Sequence, residues 1–461
     1  MLPHSTGVKS LTLTGVACVV FAAFIVFAIG TVRCLYADGS YYFLRVLEAG
    51  TFTEMISSRS YAAYLFQLPV VIAIKLGITH IYWLTLAFGV GCFGSWPISL
   101  LFCYRLAPRH FWLVMLACAA GYLNTAFMVV GEHIVAHAFF WPVLFAILFV
   151  RPLNPLAAGI LLLSAGLLMR SYESLLFLGP PLVALLVWRM MTSKERLWQQ
   201  IVLGISAVFF VIATYIALEG VLHPDSPANY GGFKRGVFSE LQSPTWTLQM
   251  TYFWGVLMLA SGNPRVARLL RQRIGSVLIG CAVLLWGAWP LLVPEQLDPV
   301  GQYESRFLDL LVPLALMPVA VRLAANPQWL VASRQDLVRL SACMLMAQSL
   351  WHVSATCQWH GYVRNWRNLL ATQKGPIFLA KIYGGRNSEG RQALRFDWFW
   401  ANPSMSLMLG PNKVQALIMP GMQVAWQPFD PLDPQSLPKL QQYGFDYTRY
   451  VQVLLQEKPK E

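Results

Sequence analysis

Apolar stretches of about 15 to 22 residues, the length that crosses a hydrocarbon core, recur along this chain and constrain its fold more than any other feature. They lie near residues 11–32, 62–80, 82–104, 110–130, 134–150, 155–169, 172–189, 199–218, 246–262, 274–293, 306–323 and 337–355, which predicts roughly 11 to 13 helices. Charged residues make up 12% of the sequence, half of the roughly 25% usual in soluble domains. Too few charges remain to solvate a globular surface. The predicted architecture is an all-α polytopic membrane bundle.

The net charge of +13 gathers in short basic runs: Arg105/Arg109, Arg189 with Lys194 and Arg196, and Arg265/Arg268/Arg271/Arg273. The positive-inside rule makes these loops cytoplasmic. Residues 33–61, 131–133, 170–173, 219–245, 294–305 and everything after about 356 then fall outside. An outer tail needs one crossing fewer than the full count, so one segment between 62 and 104 is expected not to cross completely. The first stretch is too long for a signal core and is read as a retained anchor. The cysteines lie mostly within apolar segments and form no C-x-x-C pair, which argues against thiolate metal or redox chemistry. Anionic lipid is a better expected partner than nucleic acid, because no compact basic, aromatic-rich soluble face exists.

Beyond Cys357 the composition turns soluble, with 12 Lys and Arg and 7 Asp and Glu over residues 359–461. The expected division is a membrane domain over 1–356, with an external loop at 33–61, and a small α+β extracytoplasmic domain over 357–461. Residues 414–419 and 422–426, on either side of Pro420-Gly421, read as two strands about a turn.

Ionisable groups are costly near a bilayer centre and so mark function or a wet cavity. Five groups collect on the predicted outer side: Asp38 with Tyr41, Tyr42 and Arg45; Glu132, His133 and His137; Arg170, Tyr172 and Glu173; Glu219 with His223; and Glu304, Arg306 and Asp309. Asp38 can act as a general base if an acceptor hydroxyl lies beside it, and a capping acid is the structural alternative. His133 and His137 have the i, i+4 spacing of zinc ligands without the H-E-x-x-H pattern. Metal binding, substrate contact and a satisfied helix end all stay open for them. Arg170 and Arg306 each interrupt an apolar run, and the guanidinium fork suits a phosphate. Snorkelling, or pairing with Glu173 and Glu304, would place them there equally well.

Taken in order, four of these stretches resemble the GT-C class of integral-membrane glycosyltransferases, which use polyprenyl-phosphate sugar donors. Residues 36–50, with an acid, following aromatics and a closing glycine, resemble its first external loop, and residues 131–140 resemble its polar turn before an apolar helix. Residues 167–181, with Arg170 and two prolines, resemble its short helical hairpin. Glu-Ser-Arg-Phe-Leu-Asp-Leu-Leu-Val-Pro at 304–313 resembles its late Glu-Arg-Tyr-Leu-x-x-x-x-Pro segment. The order covers about residues 10 to 355. Gly39 follows Asp38 where the family often has a second acid, and the second cluster offers Glu and His rather than Asp.

The resemblance implies an inverting transfer from a polyprenyl-phosphate sugar to a lipid, glycan or protein acceptor. The site would face the periplasm in a multi-pass protein of the bacterial inner membrane. Asp38 would be the base, and Arg170 and Arg306 would bind the donor phosphate. Tyr41, Glu132, His133, His137, Tyr172, Glu173 and Glu304 would line the pocket, with no metal ligand assigned and a divalent metal left open. A transporter or flippase of a lipid-linked sugar and an intramembrane metal-dependent hydrolase are the alternatives. The sequence shows no paired halves with matching broken helices, which weighs against the transporter.

Overall fold

The structure is a computed structural model that describes residues 5–54, 56–124, 127, 131–223, 273–293, 302–326, 334–378, 396, 401–410, 416–419 and 442. Where no water can satisfy N–H and C=O groups, a chain that crosses alone must be helical, and the apolar stretches are. They form α1 (Ser5–Gly30), α3 (Ser60–Lys75), α4 (Ile81–Leu106), α5 (Phe111–Ala117), α6 (Glu132–Phe149), α7 (Pro155–Leu168), α8 (Leu175–Thr192), α9 (Leu197–Leu222), α10 (Arg273–Leu292), α11 (Gln302–Ala325) and α12 (Arg334–Thr372). A further helix, α2 (Asp38–Ala49), lies between α1 and α3. The stretch expected at 246–262 lies outside the described residues.

Among the described residues six helices are long and apolar enough to cross a membrane: α1, α4, α6, α8, α9 and α11. Fewer qualify than the sequence predicts because Phe111–Tyr122, Pro155–Leu168 and Ile279–Leu292 are shorter apolar helices. Within 62–104, α3 has 16 residues, about 24 Å at the helical rise, and α4 has 26.

At the centre of the bundle lies α6, every residue of which from Glu132 to Leu148 is buried. Beyond His137 the helix is apolar all round and has no face that needs water, and α3, α4, α7, α8 and α11 pack around it. Its last carbonyls, which a helix cannot satisfy internally, are closed by one side chain. Arg189 donates through Nη1 to the carbonyls of Ala146 (2.6 Å) and Ile147 (2.8 Å) and through Nη2 to Val150 (2.7 Å). Its Nε donates to Glu195 Oε1 at 3.0 Å. Glu195 Oε2 also accepts from the Leu153 amide. This arginine, expected in a basic loop, is fully buried.

The segment predicted as an external loop at 33–61 is folded. It holds a 3-10 turn at Arg33–Leu35, then α2, then a second 3-10 turn at Ser57–Arg59. Gly50 closes α2 in the left-handed conformation, φ 63°, the usual glycine-favouring helix end.

The boundary expected at 356/357 falls inside α12, which runs unbroken from Arg334 to Thr372. It continues because Trp359, Tyr362, Val363, Trp366 and Leu370 are buried at the three- and four-residue spacing of one helical face. The described tail residues pack back on the bundle. Phe396 meets Tyr36, Phe127, Trp359 and Tyr362, and α13 (Asn402–Leu409) lies against α2 and α12. Strand β1 (Gly375–Phe378) pairs in parallel with β2 (Ala416–Met419), with Gly375 opposite Ala416. The partner found for residues 416–419 is therefore β1, and residues 422–426 lie outside the described residues.

Candidate functional site

Asp38 is the first residue of α2, where a carboxylate is favoured by the amides of the first turn. It follows Ala37 at φ 52°, and Val32, five residues earlier, sits at φ 53°. Non-glycine residues rarely take this region, and such strain persists only where surrounding structure holds it. Arg33 supplies that hold. Fully buried, it donates to Thr356 Oγ1 at 2.9 Å and to the carbonyl of Phe127, and its guanidinium lies 3.7 Å from the Phe127 ring centroid. His352 donates through Nε2 to the Asn124 carbonyl at 2.9 Å, which leaves its Nδ1 to accept from Arg33 Nη2 at 3.1 Å.

One turn beyond Asp38, Tyr42 donates to Glu132 Oε1 at 2.8 Å. The tyrosine that reaches the second cluster is therefore Tyr42, whereas Tyr41, expected in the pocket, carries the Arg45 guanidinium 5.1 Å from its ring. Burial pushes the Asp38 carboxyl up to about 6; Arg306 opposes this most strongly, Glu132 adds to it and Arg59 opposes it.

Glu132 opens α6, and His133 and His137 follow on its buried surface. A Cβ at Gly131 would lie 2.8 Å from the His133 ring, so only glycine fits there. His137 donates through Nδ1 to the His133 carbonyl at 2.7 Å. Both imidazoles flank Asp309 on α11: His133 Nε2 lies 3.6 Å and His137 Nδ1 3.7 Å from Asp309 Oδ2. The other carboxylate oxygen faces a single π-helical turn, Cys118–Tyr122, where a Cβ at Gly121 would sit 3.2 Å from Oδ1. The i, i+4 spacing thus sets both imidazoles beside one carboxylate. Among the described residues no group of three or more His, Cys, Asp or Glu side chains is arranged to hold a metal ion.

Arg306 lies one turn before Asp309, hence on the same face of α11. Glu304 belongs to the same helix, and its side chain lies outside the described residues. The third group arrives from the turn between α7 and α8. The Tyr172 ring is 5.6 Å from His133 and 6.4 Å from His137. Glu173 does not pair with Arg170; it accepts from Arg59 Nε at 2.8 and 3.0 Å and from Ser58 Oγ at 3.3 Å.

The chain matches no protein family, and no curated protein or solved structure of significant similarity was found.

The site therefore rests on its geometry. Asp38, Glu132, His133, His137, Tyr172, Glu173 and Arg306 come together, joined by Tyr42, Arg59 and Asp309. Arg170 stands apart. Its carbonyl accepts from the Tyr61 amide at 2.9 Å at the head of α3, and its Nη1 reaches the Ser57 carbonyl at 3.4 Å on the rim. Glu219 and His223 pair with each other on the exposed end of α9. Arg59 is the residue that sequence reasoning missed: it sits in a short Ser-Ser-Arg-Ser run just before the apolar stretch at 62–80, outside the groups named from sequence. Tyr42, Asp309 and their partners Glu132, His133 and His137 were all within the groups named from sequence, but the contacts that join one group to another were not.

Proposed function

We propose that this chain is an inverting glycosyltransferase that moves a sugar from a polyprenyl-phosphate-linked donor to an acceptor hydroxyl at the outer face of a bacterial inner membrane. The observation that carries this reading is Asp38, a carboxylate with raised pKa, in the field of Arg306 and Arg59 at the edge of a bundle with helices apolar enough to span a bilayer. Asp38 removes the proton of the acceptor hydroxyl as that oxygen attacks the anomeric carbon. The bond from this carbon to the phosphate oxygen breaks, and its electron pair leaves with the lipid phosphate. Arg306 meets the charge that develops there. A guanidinium already in place in a water-poor cleft stabilises such charge better than bulk water does. Glu132, His133, His137 and Tyr172 line the sugar and acceptor side, and α13 against α2 supports placing the tail on the same outer face.

The test is release of polyprenyl phosphate from a panel of polyprenyl-phosphate sugars by the purified chain. Asp38→Asn should abolish release and Arg306→Lys should reduce it. Release unchanged by both substitutions rejects this site as the centre of transfer.

A further inference from the structure

Arg59 has no part in the steps above, yet it is among the most firmly held side chains of the site. Both of its contacts with Glu173 run through Nε, and its guanidinium lies 4.8 Å from the Tyr172 ring centroid. Its two η nitrogens make no hydrogen bond to any described residue, although the side chain is only 12% exposed. A guanidinium pinned at Nε, with its forked edge unengaged, offers the paired donors that match phosphate oxygens.

Three contacts carry this edge across to Arg306. Arg59 stacks on Tyr172, Tyr172 faces His133 at 5.6 Å, and His133 Nε2 lies 3.6 Å from Asp309. Asp309 is one turn from Arg306 on the same face of α11. The fields of both guanidiniums also converge on Asp38 and Tyr172. Asp38 is the anion that both already share, and the forked edge of Arg59 makes no hydrogen bond to it or to any other described residue.

We propose that Arg59 and Arg306 form a two-pronged site for the phosphoryl group of the lipid-linked donor, with Glu173 and Tyr172 aiming Arg59. This rests on the glycosyl-transfer reading and gives Arg59 the place that the sequence assigned to Arg170. The Arg170 side chain turns to the rim, where its Nη1 reaches the Ser57 carbonyl at 3.4 Å.

The test is titration of the full chain in detergent with farnesyl phosphate, and with farnesol as the phosphate-free probe, followed by calorimetry. Arg59→Lys keeps a charge for Glu173 and loses the fork, so it should weaken farnesyl phosphate binding about tenfold and leave farnesol unchanged. Arg306→Lys should do the same. If Arg59→Lys does not fold, the Arg59→Gln/Glu173→Gln pair removes both charges together and is expected to show the same selective loss. Weakened binding in Arg306→Lys alone overturns the two-pronged site and leaves the transfer reading standing. Unchanged binding in both variants overturns the phosphate assignment altogether.

Discussion

Tyr42 donates its phenolic hydrogen to Oε1 of Glu132 at 2.8 Å, so the helix that begins with Asp38 is fastened to the first residue of the central helix. Both partners are buried. Tyr42→Phe leaves the carboxylate without this donor, at a cost of about 1–3 kcal/mol. Glu132→Gln keeps an oxygen for the tyrosine and should cost less. Thermal melting of the two variants checks the ordering, and a Tyr42→Phe chain that melts like the parent would show that this bond does not hold the two helices together.

Asp38→Asn preserves volume and polarity and cannot take a proton at neutral pH. Loss of a general base lowers rate by about 10²- to 10⁴-fold, so transfer should fall by that factor with melting temperature little changed. Near-parental turnover would move the base to another residue, Glu132 being the next candidate.

The pH dependence has a definite sign. The folded chain binds the Asp38 proton more tightly than the unfolded chain, since burial lifts the group from 3.8 to about 6. Asp38 therefore lowers stability progressively as pH rises through that window, and by a constant amount above it. For the base in the reaction, the same shift places the acid limb of kcat/KM near pH 6. Arg59→Gln removes a charge that favours the carboxylate and should move the limb upward. A pH–rate profile whose limb moves down in that variant would contradict the assigned field.

At the other end of α6, Arg189 and Glu195 are both buried. Removing one member strands the other, which costs about 3–5 kcal/mol. Replacing both by apolar residues of similar size removes the stranded charge but leaves the carbonyls of Ala146, Ile147 and Val150 without their donor, so it should restore only part of that loss. Arg189→Met, Glu195→Met and the double variant, compared by melting, form a cycle whose coupling term measures the pair. Additive losses would show that the two do not act together.

The tail and the segment after α1 should share one face of the membrane, since α13 packs on α2 and Ser40 Oγ lies 3.5 Å from the Ala401 carbonyl. With the exposed Cys281 and Cys357 replaced by serine, Ser57→Cys and Gln442→Cys should react with an impermeant thiol reagent from the same side. Labelling from opposite sides would break the architecture.

The helices were legible because an apolar run of bilayer length leaves the backbone little choice. Asp38, Glu132 and Arg306 were legible because a charge beside such a run is costly and therefore conspicuous. Arg170 shows the limit of that signal, which reports that a charge is present and not which way its side chain turns. Arg59, three residues before the run at 62–80, carried no signal that set it apart from an ordinary charge at a helix head. Its importance depends on Glu173, 114 positions away, and a single sequence carries no trace of such a contact. The pairing of His133 with Asp309 is long-range in the same way, and the 356/357 boundary misled because α12 changes from apolar to amphipathic without changing its conformation.

That continuity sets a scale. α12 has 39 residues, about 58 Å at 1.5 Å per residue, nearly twice the roughly 30 Å of a bilayer's hydrocarbon. It is fixed to α1 partway along, where Trp359 Nε1 donates to the Thr31 carbonyl at 3.1 Å, and it reaches β1 and α13 without a hinge. A rod of this kind works as a mast. It sets the distance between its contact with α1 and the described tail elements packed at its far end. Since α13 also packs on α2, the far end of α12 and the helix that begins with Asp38 are joined through one short element, and neither can shift without the other.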